Sequence, residues 1–235
     1  MDTPLTILYE DYHCLAVVKP APLLTQAPPG VPSLEALAKA YLKHKYAKPG
    51  HVYLGIPHRL DRPVSGVILF ARTTKGAQRL AAQFQAHTIE KVYWALVSGP
   101  LTAMNGTWTD YLHKLPEQAR SEIVPADTPD AKHAVLDWCV KAEVPGGMLL
   151  ELRPRTGRMH QLRVQTSSRG LPIWGDVLYG SSTAFGPVAE RPRDRLIALH
   201  ARTLTFQHPT KAERPTVTAP VPTYWPAEVR TLVDR

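Results

Sequence analysis

His58-Arg59-Leu60-Asp61-Arg62-Pro63-Val64-Ser65-Gly66-Val67-Ile68-Leu69-Phe70-Ala71 joins a polar, proline-stiffened loop to an uninterrupted apolar run. The run Val67–Ala71 has strand length and no alternation, which predicts a strand buried on both faces. Pro63 restricts its own φ and disfavours helix at Arg62, so the preceding loop is stiff. Gly66 permits a tight turn into the strand. Asp61 stands between two guanidiniums, whose positive charge favours its ionised form. An ionised, positioned carboxylate can act as a nucleophile or stabilise charge at a sugar or base carbon. It can equally cap a backbone N–H, the common role of aspartate in turns. Spacing alone leaves the capping role ahead.

On the N-terminal side, Cys14–Val18 reads as a short strand that stops at Lys19-Pro20. Pro22, Pro28, Pro29 and Pro32 make the following stretch a stiff, exposed loop. Ser33 then fits an N-cap, followed by Leu34, Leu37, Ala38, Tyr41 and Leu42 at the spacing of one buried helix face. On the C-terminal side, Ala77, Leu80, Ala81 and Phe84 predict a second helix with Lys75 and Arg79 on its wet side. Strands are expected at Val92–Ser98, His133–Val144, Met148–Arg153 and Ile197–Phe206, and a helix over Arg158–Arg169 closed by Gly170. Glu117–Lys132 is charged and poor in large apolar groups, so it reads as an excursion. Strands outnumber the interspersed helices. That pattern predicts an α+β fold: a mixed, largely antiparallel β-sheet core with flanking helices.

Composition sets the class of partner. The 235 residues are 44% hydrophobic, enough to bury a sizeable core. Lys and Arg exceed Asp and Glu by 28 to 20, a formal charge of +8. This excess suits a polyanion through counterion release, although ordinary solubility charge accounts for it equally well. Only Cys14 and Cys139 occur, with no CxxC or Cys/His cluster, which speaks against a disulfide framework or structural zinc site and fits a reducing compartment. No leader pattern and no apolar stretch of bilayer length is visible, so the expectation is a soluble cytoplasmic protein.

Three further segments concentrate chemistry. Arg155-Thr156-Gly157-Arg158-Met159-His160-Gln161-Leu162-Arg163-Val164 continues to Gly170-Leu171-Pro172-Ile173-Trp174-Gly175-Asp176 and Tyr179-Gly180. Read physically, Gly157 opens a helix rich in guanidiniums, a phosphate site at a helix N-terminus or simply a solvated basic helix. His160 and Arg163, three apart, would share a face. Lys91-Val92-Tyr93-Trp94-Ala95-Leu96-Val97-Ser98-Gly99 alternates Val92, Trp94 and Leu96 against Tyr93, Ala95 and Val97. Near the C-terminus, Leu199-His200-Ala201 leads to Leu204-Thr205-Phe206 and His208-Pro209.

These motifs resemble the RluA-type RNA pseudouridine synthases, in order and at suitable spacings, from about residue 5 to 210. The resemblance implies the pseudouridine synthase fold as a single catalytic domain over residues 1–235, with no S4-type RNA-binding domain. It assigns the catalytic carboxylate to Asp61, the active-site tyrosine to Tyr93, an arginine that pairs with the carboxylate to Arg163, and an apolar wall of the base pocket to Leu199. His58, Arg59, Arg62, Arg155, Arg158, His160 and Gln161 are the expected RNA-binding residues. Three positions depart from the family pattern: Val64 where Thr is usual, Gln165 where His is usual, and Ala21-Pro22 where Ala-Gly is common.

The implied reaction converts specific uridines of ribosomal RNA, transfer RNA or both to pseudouridine, after the base is flipped out of its stack. Asp61 would attack the sugar or the base, or abstract a sugar proton; the residues leave these routes open. Neither metal nor organic cofactor is implied, and a monomer is the default expectation. Two rivals stand beside this reading. A nucleoside or glycoside hydrolase would need a second carboxylate, nominally Asp176 or Glu151. An RNA chaperone of the same fold would need no catalytic group, against which stand Asp61, Tyr93 and Arg163.

Overall fold

The computed structural model describes residues 5–115 and 117–232. The chain divides into two compact units, one comprising the residues up to Glu90 together with Ala201–Pro220, the other Lys91–His200 together with the residues from Val221 onward.

In the first unit, β1 (Ile7–Glu10), β2 (Cys14–Lys19) and β3 (Ser65–Ala71) form an antiparallel set, with β2 and β3 in register from Cys14↔Ala71 to Lys19↔Gly66. Every residue of β3 is buried, as its unbroken apolar run predicts. Residues Ala201–Thr205 of β9 (Leu199–Thr205) lie next to β3 in the strand order, and β10 (Thr216–Thr218) pairs with β9. Helix α1 (Leu34–Lys45) is capped by Ser33, whose hydroxyl accepts from Ala36 N at 3.2 Å, and buries Leu34, Ala38 and Leu42. Helix α2 (Thr74–Gln85) is capped by Thr73, and Leu80 is its fully buried residue. Leu80 joins Cys14, Ala16, Val67, Leu69, Leu204, Phe206 and Val217 in one apolar core.

In the second unit, β4 (Glu90–Val97), β5 (Asn105–Lys114), β6 (Ser121–Val124), β7 (Lys132–Val144) and β8 (Gly147–Pro154) are ordered β4-β8-β7-β5-β6, antiparallel throughout. Helix α3 (Gln161–Ser167) is short and buries all but Ser167; α4 (Ala227–Arg230) is a single turn. The expected α+β class, with its mixed, largely antiparallel sheet, is the one observed.

Two sequence expectations require correction. The charged segment Glu117–Lys132 is only partly an excursion, because Ser121–Val124 forms β6 and pairs with β5 from Tyr111↔Val124 to Lys114↔Ser121. The helix expected from Arg158 begins at Gln161. His160, with φ 53°, is in the left-handed region and cannot continue a helix on either side. Gly157 therefore does not open a helix, and His160 does not share a helical face with Arg163.

Candidate active site

Asp61 sits in a loop whose backbone is held on both sides. The Val64 N–H donates to Asp61 O at 3.1 Å, closing a turn over Arg62 and Pro63. Just before Asp61, the Leu60 N–H donates to Thr25 Oγ1 at 3.1 Å, and the same hydroxyl donates to Leu60 O at 3.0 Å. Just after it, Lys19 Nζ donates to Arg62 O at 3.1 Å, and also to Leu23 O at 2.6 Å and Pro20 O at 3.2 Å. Lys19 is fully buried, and three carbonyls match the three donors of an ammonium. Burial pushes the Lys19 pKa down to about 7, while the negative charge of Asp61 pulls the other way.

His58 anchors the start of this loop. Its Nε2 accepts from Leu69 N at 2.9 Å, and its ring stacks on Phe84 with centroids 4.4 Å apart. At the loop's end, Gly66 has φ 122°, and a Cβ there would lie 2.2 Å from Ala201 O. No side chain fits that approach. Arg59 is exposed, whereas Asp61 and Arg62 are half-buried. Thr25 and Lys19 as loop clamps went unrecognised in the sequence; a polar residue inside a proline-rich loop and a lysine ending a strand carry no periodic signal.

Tyr93, Arg163 and Leu199 belong to the second unit. Arg163 is 6% exposed and Asp176 1% exposed, and they form a two-pronged pair: Nε to Oδ2 at 2.6 Å and Nη2 to Oδ1 at 2.7 Å. Such a fork fixes the guanidinium plane as well as its charge. Gly175 sets up Asp176 with φ 80°; a Cβ there would meet Leu196 O at 2.2 Å. The Arg163 guanidinium also lies over the Tyr179 ring, 5.0 Å from its centroid. The Tyr179 hydroxyl bonds Ser121 N at 2.9 Å, Ser121 O at 3.2 Å and His160 Nδ1 at 2.9 Å. Burial raises the Tyr179 pKa, so the hydroxyl keeps its proton for this network.

Tyr93 is half-buried on β4, opposite Leu152 of β8, and Leu199 is buried at the start of β9. The backbone of Trp174 links their strands: its N–H donates to Leu96 O at 2.9 Å, and its carbonyl accepts from Ala198 N at 2.9 Å. The second unit thus gathers the Tyr93 strand, the Asp176 turn and the Leu199 strand. Asp61 belongs to the first.

The remaining polar residues expected at the site divide by exposure. Arg155 is largely exposed and pairs with Asp137 at 2.6 Å; Arg158 Nε donates to His133 O at 2.9 Å. Gln161 is buried, with Oε1 accepting from Thr156 Oγ1 and Arg158 N, and Nε2 donating to Val135 O. Gln165 is buried and donates to Asp110 Oδ2 at 2.6 Å.

Neither nominal second carboxylate suits a general acid. Asp176 is spent on Arg163. At Glu151, burial works to raise the pKa, but hydrogen bonds from Arg153 and Lys141 outweigh it and hold the carboxyl below its ordinary value. A general acid needs the opposite shift.

Among the described residues one group, Asp11, Cys14 and His208, brings potential metal ligands together. His208 Nδ1 accepts from Thr210 N and Lys211 N, so its ring proton is on Nε2, which donates to Asp11 Oδ2 at 2.6 Å. That leaves no nitrogen lone pair for a cation. Burial pushes the Cys14 thiol up to about 12, away from the thiolate a metal requires.

A family model described as RNA pseudouridylate synthase matches residues 13–168. The chain is 35% identical over 227 residues to ribosomal large subunit pseudouridine synthase D of Xanthomonas campestris, covering 94% of this chain and 67% of that protein. It is 33% identical over 230 residues to the protein of the same description from Pseudomonas aeruginosa, covering 94% and 69%. Among solved structures, human RNA pseudouridylate synthase domain containing 4 superposes with a TM-score of 0.74 at 22% identity, covering 93% of this chain and 89% of that one.

Proposed function

The chain belongs to the RNA pseudouridylate synthase family, and from that premise we propose that it isomerises specific uridines of large-subunit ribosomal RNA, with Asp61 as the catalytic carboxylate. The observation that carries this reading is the clamped loop: Thr25 and Lys19 hold the backbone on either side of Asp61, so the main chain that carries its carboxylate is fixed. Enzymes gain most from groups oriented before the substrate arrives.

In the proposed reaction the target uridine leaves its stack and enters a pocket walled by Leu199 and faced by Tyr93. Asp61 acts on the extruded nucleoside. The N1–C1′ bond breaks, the base turns, and a C5–C1′ bond forms; C5 loses a proton and N1 gains one, with no net redox change or hydrolysis. Arg163 offers its Nε–Nη2 edge to Asp176. In this reading Arg163 is, as the family resemblance implies, the arginine that orients the catalytic carboxylate. Arg59, Arg62, Arg155 and Arg158 hold phosphates; His58, His160 and Gln161 act by keeping those segments in place. The reading takes residues 1–235 as a single catalytic domain, as the family resemblance implies. A cytoplasmic, monomeric enzyme without metal or organic cofactor completes the reading.

The test is Asp61→Ala. Carbodiimide mapping of ribosomal RNA from cells carrying the variant should show loss of a defined set of pseudouridines, while the purified variant still binds that RNA. Wild-type modification levels would remove Asp61 from the mechanism. Loss confined to transfer RNA would reassign the substrate.

A further inference from the structure

The end of α1 and the segment after it form a surface of one sign. From Ala36 to Leu60 the chain carries Lys39, Lys43, Lys45, Lys48 and Arg59 and not one Asp or Glu. Residues 43–51 are exposed without exception. Solubilising surfaces ordinarily intersperse both signs, so an acid-free run of this length is a directed field rather than a solvated face.

The segment is also ordered. The Lys48 N–H donates to Lys43 O at 3.0 Å and the Ala47 N–H to His44 O at 3.2 Å, so the chain folds back over the last helical turn with Ala47 at φ 46°. Two acids reach this region: Glu35, directly before it, pairs with Lys39 at 2.6 Å, and Glu10, from β1, is saturated. Its carboxylate accepts from Tyr41 at 2.7 Å, Tyr46 at 2.6 Å, Lys45 at 2.8 Å and Arg72 at 3.2 Å. The Arg72 guanidinium stacks over Tyr46 at 4.6 Å, and Tyr46 stays 44% exposed. Glu10 thus neutralises Lys45 and holds an aromatic ring in place. The side chains of Lys43, His44, Lys48 and His51 make no hydrogen bond or ion pair with any described residue.

We infer that Lys43, Lys48 and the Glu10-braced Tyr46 form an RNA-docking surface on the first unit, additional to the residues around Asp61, which engages backbone phosphates of the substrate. The chemistry is that of phosphate neutralisation beside a presented ring. The helix dipole alone would account for cations in the last turn, but its effect ends there. Lys48 and His51 lie beyond it. This inference rests on the proposed activity for its choice of RNA over another polyanion.

The test uses the full chain and a fluorescein-labelled fragment of large-subunit ribosomal RNA. Binding is followed by anisotropy against salt for wild type, the double variant Lys43→Gln/Lys48→Gln, and Lys75→Gln as a control on exposed α2. Each phosphate contact adds about 0.7 to 0.9 to the slope of log K against log salt. The double variant should therefore flatten the slope by about 1.5, each single variant by about half that, and Lys75→Gln not at all. An unchanged slope in the double variant, or one equally shifted by Lys75→Gln, would overturn the surface. So would weakened binding to phosphatidylserine vesicles with RNA binding intact, which would reassign it to an anionic membrane. If the wild type binds this RNA with the expected slope differences but forms no pseudouridine, the proposed activity fails and the docking surface stands.

Discussion

Lys19 is a lysine whose three donors all end on backbone carbonyls, one of them the carbonyl of the residue after Asp61. With burial lowering its pKa to about 7, the ammonium with three donors and the amine with two interconvert near neutrality. The sign of the linkage follows. The unfolded chain keeps this proton up to about pH 10.4, whereas the native state releases it above about 7, so in that window the unfolded state binds more protons. Lys19 therefore makes unfolding less favourable as pH rises from about 7 to 10, and Lys19→Met removes that slope. Urea denaturation of both proteins across the window measures it; parallel profiles would contradict the buried-ammonium account. Neither Lys19 nor Thr25 could be found from spacing, because the contacts by which they clamp the loop, to Arg62 O and to the backbone of Leu60, reach across 43 and 35 residues. Asp61 itself was legible as a residue of a stiff loop, and its company in other motifs, rather than the loop, made it a candidate.

Helix α3 shows how a short element gains a fixed position. Seven residues are too few for a stable isolated helix, so its neighbours must hold it. Gln161 ties its start to β7, Ser167 ties its end to the Tyr179 carbonyl, and Gln165 ties its middle to Asp110 of β5. Asp110 also accepts from Arg169, whose guanidinium lies 4.8 Å from the centre of Trp108. Asp110→Ala should cost about 1–3 kcal/mol of stability, because it leaves a buried amide donor unpaired. If α3 aims Arg163, the variant also loses kcat rather than substrate affinity. Gln165→His is the matching control: a ring N–H can replace the amide donor, while the amide oxygen, which is buried without a hydrogen-bond partner, disappears. That variant should retain both stability and turnover, and equal damage from the two substitutions would remove Asp110 from a positioning role. The start of α3 was misread because nothing in the letters announces a left-handed histidine. Hairpin β5–β6 was missed for a related reason. Its strands face water on one side and carry charge, so β6 had the composition of a loop, whereas buried β3 was plain from its apolar run.

On the scale of the whole chain, the unit that carries Asp61 is completed only by the far end of the sequence. Leu204, Phe206, Val217 and Ala219 lie in the same core as Cys14, Ala16, Val67 and Leu69, so the first 90 residues cannot bury their own strands. Closure of so long a loop brings its entropic cost before any contact repays it, which makes these late strands decisive for the first unit. Phe206 is fully buried and meets Tyr9 edge to face at 6.1 Å. Phe206→Ala should therefore cost about 3–5 kcal/mol, the range for emptying an aromatic site in a packed core. Its effect should be regional. Amide exchange in β2 and β3 should accelerate strongly, because their side chains line the cavity, while the β7–β8 pair, which shares no residue with this core, keeps its protection. A chain ending at Ala198 extends the same argument, losing all four late core residues at once. It should leave β2 and β3 without native protection and Asp61 on an unformed loop, even though every residue from His58 to Gly66 is still present. Protected β2 and β3 amides in that truncated chain would show that the first unit folds without its C-terminal strands, and the core assignment would fall with it.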